Sequence, residues 1–136
     1  MYGPAGYAYV YQLYGTSWAV NLVAATEGEP HAVLIRAVEP VRGIELMARR
    51  RNRPPSAREL TNGPGKLTQA LGITGGDYGR DLCGNLLFLE EPERSAGRIG
   101  RSPRININVE SAGVWTARPW RFYERGNRYV SVPPRD

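Results

Sequence analysis

Three short strand-like segments in the first 37 residues constrain the fold of this chain most. The tyrosines at positions 7, 9 and 11 recur at period two, which is the spacing of side chains on one face of an extended strand. Two further apolar and partly β-branched runs follow at residues 18–24 and 32–37, and residues 27–30 between them have turn composition. We therefore predict a meander of three strands.

The rest of the chain adds short helices and further strands to this prediction. Apolar residues at helical spacing predict one helix over 43–51. A second short helix is predicted at 67–71, opened by the Gly and Pro residues of 62–65 and stopped by Gly72. Alternating or apolar runs predict strands at 86–89, 105–109, 115–123 and 129–132, with a charged surface loop over 90–102. The expected fold is α+β, a single domain over 1–136 with a mostly antiparallel curved sheet, or roll, flanked by short helices.

The charge of the chain is unevenly distributed. The net charge is +5 and comes from 17 Arg and one Lys against 13 acidic residues. No basic residue precedes Arg36, so residues 36–136 carry a balance of +7. Such asymmetry favours a polyanionic partner, although Arg enrichment also arises from nucleotide bias in a genome.

Several classes of site are excluded by composition. The one cysteine, Cys83, cannot form an internal disulfide, and with His31 as the one histidine it cannot complete a zinc site. His31 has no evident paired nucleophile, which argues against a catalytic triad. The uncharged stretch 7–25 contains too many polar residues for a membrane helix, and residues after Met1 lack a signal-peptide pattern. We expect a cytoplasmic protein, associated with the nucleoid if it is bacterial.

Four features could contact a ligand, and each also has a purely structural interpretation. The segment 63–66 could hold a phosphate at a helix N-terminus or be an ordinary helix cap. The basic run at 49–53 could touch phosphates, but a solvated connection is favoured. The tyrosines could stack on unpaired bases or form half-buried core. Arg36, at the end of an apolar run, needs a partner, for which Glu39 is the nearest candidate.

Four strings in the chain, taken in order, resemble one known family. They are YVYQLYG at 9–15, VLIRAVEP at 33–40, LTNGPGKL at 60–67, and Trp115 followed by PWRFY at 119–123 with Gly126-Asn127 after it. The chain resembles the DNA-3-methyladenine (alkyladenine) glycosylases from Met1 nearly to Val132. The resemblance implies a base-excision enzyme that flips alkylated or deaminated purines out of duplex DNA and releases them with water. It implies neither a metal nor an organic cofactor, and we expect a monomer.

The resemblance also implies roles for individual residues. Tyr14 is similar to the intercalating residue that fills the gap left by the flipped base. In the base pocket, Tyr11 is similar to a stacking face and Asn21 to the side chain that excludes guanine. Three more residues take roles in this way: Arg36 in positioning the attacking water, Ile105 in holding that water through its backbone carbonyl, and Lys66 in contacting a phosphate.

The sequence departs from the family pattern at two places. The Glu-Thr-Glu-Ala-Tyr block that holds the general-base Glu corresponds to a position upstream of Met1, so this chain could bind lesions with impaired or no catalysis. The lack of that segment could also expose a sheet edge and prevent folding as a monomer. Asn106 stands where the family's Arg-Ile-Gly-Ile motif has glycine, which we expect to alter the pocket wall.

Overall fold

The computed structural model describes residues 1–132 of the chain. It divides into two compact units, one over residues 1–91 and one from residue 92 onward. The predicted α+β class is confirmed, because helices accompany strands that pair antiparallel throughout the described residues. The strands form two separate sheets, of three and of two strands.

The first unit contains the predicted meander, which is confirmed. Strands β1 (Ala8–Leu13), β2 (Ser17–Val23) and β3 (Ala32–Leu34) pair in the order β1-β2-β3. The hairpin between β1 and β2 closes at the pair Leu13 and Ser17. Strand β2 is central, and four of its seven residues are buried, with side chains on both faces of the sheet.

The two predicted helices are present as eight-residue helices, α1 (Ile44–Arg51) and α2 (Pro64–Leu71), of which α2 packs on the sheet and α1 packs on α2. Helix α2 begins at a proline and ends at Gly72, whose left-handed backbone lets its N–H bond back to the helix carbonyls. Its buried face packs on β2, where the Thr68 hydroxyl donates to the Trp18 carbonyl at 2.9 Å. Leu67 is fully buried in this core, a contribution of roughly 2–3 kcal/mol to folding.

The basic run is not the solvated connection that the sequence favoured. Arg50 donates to the Ala70 carbonyl at 3.1 Å, and Arg51 donates to the carbonyls of Glu59 and Leu60 and to the side chain of Gln69. These bonds satisfy carbonyls near the end of α2 and in the turn before it. The two arginines therefore join α1 to α2.

The second unit holds a hairpin of β4 (Ile99–Ser102) and β5 (Arg121–Glu124), with a short helix α3 (Val109–Ala112) between them. The prediction of a loop over 90–102 is wrong for its last four residues. Gly100 explains the difference, because the Tyr123 ring of β5 lies where a side chain at 100 would project, 2.4 Å from its Cβ position. A glycine that the sequence analysis assigned to a loop permits this cross-strand contact.

Four predicted strands are wrong or too long. Residues 86–89 form no strand and stay largely exposed, and at 105–109 the left-handed backbone of Asn106 (φ 55°) interrupts the alternation. Residues 113–116 form a 3-10 turn, so the predicted 115–123 strand is limited to β5. At 129–132 the guanidinium of Arg121 takes the carbonyls of Ser131 and Val132 in place of a strand partner.

Further 3-10 turns lie at Arg58–Leu60 and Gly75–Asp77. None of the helices among residues 1–132 has the length and apolar character that crossing a bilayer requires.

Candidate nucleic-acid interface

The hairpin between β1 and β2 presents one aromatic side chain to solvent at its tip. Tyr14 is 98% exposed, and its backbone is left-handed (φ 47°), as is that of Gly15 (φ 76°). The loop is held by the Gln12 amide, which donates to the Gly15 carbonyl at 2.7 Å, and by the Thr16 N–H, which donates to the Leu13 carbonyl. A bulky residue rarely adopts positive φ unless the surroundings impose it, so the turn holds Tyr14 outward at a conformational cost.

The sheet face opposite the helices collects two of the predicted pocket residues. Tyr9 lies directly across from Asn21, and Tyr11 lies across from Ala19, so Tyr11 and Asn21 are diagonal neighbours on one face. Such diagonal residues lie roughly 7–8 Å apart. Asn21 is 7% exposed, and its amide donates to the Tyr9 carbonyl at 3.1 Å. Its side chain is thereby held in place, while Tyr11, at 37% exposure, offers part of its ring to solvent.

Arg36 lies two residues beyond the end of β3, on the same side of the sheet. The extended pairing continues past the strand, because the Ile35 N–H donates to the Val20 carbonyl at 3.1 Å. Ile35 packs against the hydrophobic core, and successive residues of an extended chain point to opposite faces. The half-buried Arg36 therefore belongs to the face of Tyr11 and Asn21.

A shallow depression of about 300 Å³ separates the hairpin tip from the start of α2. We call it the tip depression. Its lining residues are Leu13, Tyr14, Thr16, Ser17, Arg51, Gly63, Pro64, Gly65, Lys66 and Gln69. It combines an aromatic ring, two hydroxyls, two cationic side chains and the first turn of a helix.

The cationic end of the tip depression is built by the start of α2. Gly63 has no side chain to cap the helix, so the amides of the first turn remain available. Lys66 donates to the Asn62 side chain at 2.9 Å, which anchors its ammonium beside that turn. Both the helix dipole and the ammonium favour an anion here.

Gly65 brings this helix start close to β2. A Cβ at position 65 would lie 2.8 Å from the Ser17 Cβ and 3.1 Å from its hydroxyl oxygen. Only a residue without a side chain permits this approach. The spacing between the hairpin and the cation-bearing turn therefore depends on Gly65.

Ile105 and Asn106 belong to the second unit. Ile105 is half-buried there and precedes Asn106, whose side chain is exposed and whose backbone is left-handed (φ 55°). Asn is the non-glycine residue that adopts this conformation most readily. The backbone geometry that glycine favours is thus available to Asn106, so the departure from the family motif at this position adds a side chain without requiring a different backbone.

Two residues of the interface were missed by the sequence analysis. Arg51 lines the tip depression, and burial, with a smaller effect of the neighbouring Arg53, lowers its pKa from the ordinary arginine value. Tyr78 contacts Tyr9 edge to face, with ring centroids 6.0 Å apart, and extends the aromatic row of β1. The clustered arginines gave no signal of which one faces the depression, and the contact of Tyr78 depends on tertiary packing.

The assembled groups can stack on a base and bind phosphates. They include no carboxylate from β1 or β2, because the first acidic residue of the chain is Glu27. Among residues 1–132, no cluster of three His, Cys, Asp or Glu side chains is placed to hold a metal ion. The groups on β1, β2 and the start of α2 therefore suit binding of a base and of phosphates better than they suit proton transfer.

Comparison with known proteins finds relatives along nearly the whole chain. The model of a family described as methylpurine-DNA glycosylase matches residues 1–128. A protein of Anaeromyxobacter dehalogenans (strain 2CP-1), named "putative 3-methyladenine DNA glycosylase", is 44% identical over 98% of this chain and 57% of its own length. Proteins of the same name from Clostridium acetobutylicum and Bacillus licheniformis are 42% and 46% identical, over 100% and 96% of this chain and 69% and 64% of their own lengths. The chain spans 57–62% of the length of the Anaeromyxobacter relatives.

Proposed function

Because the chain belongs to the methylpurine-DNA glycosylase family, we propose that it forms the lesion-recognition part of a base-excision DNA N-glycosylase. The enzyme flips an alkylated or deaminated purine, of the 3-methyladenine or hypoxanthine type, out of duplex DNA. It then hydrolyses the N-glycosidic bond. Its partner is damaged double-stranded DNA, bound by a monomer in the cytoplasm or on the nucleoid.

The observation that carries this proposal is the position of Tyr14. A fully exposed aromatic ring on a strained turn has no packing role in the chain, whereas an enzyme that extrudes a nucleotide needs a wedge to occupy the gap. Tyr14 also borders the tip depression together with Lys66. A phosphate held at Lys66 and the α2 N-terminus would fix the register of the duplex against that wedge.

The flipped purine would be read on the face of Tyr11 and Asn21. Alkylated purines are electron-poor or cationic and stack favourably on tyrosine. Asn21 is tied to the Tyr9 carbonyl, so it cannot move aside for the 2-amino group that guanine carries and adenine and hypoxanthine lack. Opening a damaged pair also costs less than opening an intact one.

For hydrolysis, a water oxygen attacks the sugar C1′ while the bond from C1′ to the purine nitrogen breaks, and a general base takes the water proton. We propose that Arg36 of the first unit holds this water. The purine leaves with the electron pair of the broken bond and is protonated. The chain's own residues thus supply binding and orientation, and we assign the general base to the Glu that the family carries upstream of the position matching Met1.

The proposal is tested with a labelled 25-base-pair duplex that contains one hypoxanthine, and with the matching intact duplex. We expect tighter binding to the lesion, and slow release of hypoxanthine scored as alkali-labile strand breaks. Tyr14→Ala should abolish the preference, whereas Tyr2→Ala, which removes another exposed tyrosine of the first unit, should keep it. Equal affinities for the two duplexes with the unaltered protein would contradict the proposal.

A second function is favoured by the composition of the proposed recognition face, to which β1 and β2 contribute no carboxylate. The 136-residue chain would then be a lesion-binding module that recognises damage and does not release the base. This module would be supported over the glycosylase if the protein, in excess over DNA, binds the hypoxanthine duplex more tightly than the intact one and produces no alkali-labile strand breaks.

A further inference from the structure

The two units differ sharply in charge. Residues 1–91 hold nine basic and nine acidic side chains, whereas residues 92–136 hold nine arginines and four acidic residues. The second unit therefore carries a balance of +5, equal to the net charge of the whole chain. The predicted lesion pocket and tip depression of the first unit lie in a part of the chain with no net charge.

Every aromatic residue among residues 92–132 lies beside an arginine. The pairs, with the distance from the arginine Cζ to the ring centroid, are Arg101 and Phe122 (5.0 Å), Arg121 and Tyr123 (5.2 Å), and, at 5.4 Å each, Arg104 with Trp120, Arg118 with Trp115 and Arg128 with Tyr129. These distances are within the range of cation–π contacts. The pairs extend from Arg101 to Tyr129.

Some of these pairs are structural. Arg121 is buried and donates to the carbonyls of Ser131 and Val132. Arg104 donates to the Trp115 carbonyl at 3.1 Å, and the Trp115 and Trp120 rings stack with centroids 5.3 Å apart. Their guanidinium groups are engaged in holding the unit together.

Arg101 and Arg118 differ from these. Both are exposed, and each guanidinium lies over a ring face, that of Phe122 or that of Trp115, without an ion pair to any of residues 1–132. Phe122 is itself exposed, directly across the β4–β5 hairpin from Arg101. Neither arginine is needed to satisfy a buried group.

Stacking on an aromatic ring prepares a guanidinium to bind phosphate. The ring occupies one face of the cation and limits its motion, while the N–H donors point outward in the guanidinium plane. Those donors match two oxygens of one phosphate group. Less side-chain freedom is then lost when a phosphate binds.

We infer that the second unit is a damage-independent DNA-binding surface in which Arg101 and Arg118, each backed by an aromatic ring, bind backbone phosphates of duplex DNA. This surface goes beyond the proposed lesion site, because it requires neither base flipping nor hydrolysis. It supplies affinity for any DNA sequence and, with it, the salt dependence of binding.

The test measures binding of the full chain to an undamaged 25-base-pair duplex at several KCl concentrations. The slope of log K against log[KCl] decreases in magnitude by about 0.9 for each phosphate that the protein no longer neutralises. We therefore expect Arg101→Gln and Arg118→Gln each to reduce the slope by about 0.9, and the double variant by about twice that. Arg101→Lys and Arg118→Lys, which keep the charge and lose the planar donor array, should keep the slope while weakening binding.

The matched control is Arg42→Gln, which removes one exposed arginine from the first unit and should leave the slope unchanged. Tyr14→Ala should also leave it unchanged, so a failure of the lesion proposal does not affect this result. Gln variants with the slope of Arg42→Gln would overturn the inference. Tighter binding to vesicles containing phosphatidylserine than to the duplex, abolished in the same variants, would overturn DNA as the partner.

Discussion

At the scale of single residues, two side chains occupy left-handed backbone positions that suit them to different degrees. Tyr14 and Asn106 are both left-handed, with φ of 47° and 55°. Asn106 is a residue type that tolerates this region, whereas Tyr14 is not. A tyrosine therefore occupies a position where glycine or asparagine would fit the turn better, which supports the role outside the fold that we propose for Tyr14.

We expect Tyr14→Asn to stabilise the protein. A non-glycine residue in the left-handed region costs about 1–2 kcal/mol, and Asn recovers part of this cost, so the free energy of unfolding should rise by about 0.5–1 kcal/mol. Urea unfolding at constant m-value measures the change. The same variant should lose the preference for a hypoxanthine duplex. An unfolding free energy equal to or below that of the unaltered protein would show that the turn imposes no strain on Tyr14.

At the scale of elements, the approach of α2 to β2 is set by Gly65. We expect Gly65→Ala to destabilise the protein by about 1–3 kcal/mol, because its Cβ would lie 2.8 Å from that of Ser17. Adding Ser17→Gly should relieve the clash, so that a double-variant cycle gives a favourable coupling between the two changes. The control is Gly3→Ala, since a Cβ there meets nothing within 4 Å. Additive effects of the two substitutions would contradict the close approach.

Glu124 at the end of β5 makes the second unit sensitive to acid. Hydrogen bonds from the Asn127 amide and then the Gly97 N–H, with a further contribution from Arg94, lower the pKa of this carboxyl group, and burial opposes them. Because the folded-state pKa lies below the ordinary glutamate value, the ionised group stabilises the fold above that value. This stabilisation is lost as the pH falls through the lowered folded-state pKa.

We therefore expect the difference in Tm between the unaltered protein and Glu124→Gln to be constant from neutral pH to about pH 5. It should shrink at lower pH, as the carboxylate becomes protonated. Glu93→Gln, which removes an equal charge at an exposed position of the same unit, should show no such decrease. A difference that persists to about pH 3 would contradict the hydrogen-bonded carboxylate.

The sequence predicted those elements whose pattern is local. The meander and both eight-residue helices follow from periodicity and from Gly and Pro signals, and they are confirmed. The errors lie mainly in the second unit, where single residues override the pattern. Gly100 accepts the ring of Tyr123, and Arg121 replaces a strand partner for Ser131 and Val132. Contacts of this kind depend on tertiary packing and leave no periodic signal in a sequence.

In the candidate site, too, some residues could be named from the sequence and others depend on tertiary packing. The side chains of Tyr11 and Asn21 share a sheet face, and Tyr14 and Lys66 line one depression. Their roles in lesion recognition stay predictions. Arg51 was not singled out, because its position depends on the packing of α1 against α2. The roles of Arg36 and Ile105 stay predictions.

At the scale of the whole molecule, the proposed recognition face receives no carboxylate from the strands β1 and β2 that build it. No acidic residue precedes Glu27, so β1 and β2 bring no carboxylate to the face of Tyr11 and Asn21. General-base catalysis contributes on the order of 10²–10⁴-fold to a rate. Binding and turnover should therefore respond differently when this chain is compared with a longer relative.

We expect the 136-residue chain to bind a hypoxanthine duplex about as tightly as the Bacillus licheniformis relative, of whose length it spans 64%. If the general base lies in the part of the relative that this chain does not span, as we propose, the single-turnover rate of base release by the 136-residue chain should be lower by about 10²–10⁴-fold. Gel quantification of alkali-labile sites, with protein in excess, measures both rates. Arg36→Gln should lower the residual rate further if it positions the water. Equal rates for the two proteins would contradict this assignment. They would place a general base within these 136 residues, with carboxylates such as Glu39 as candidates.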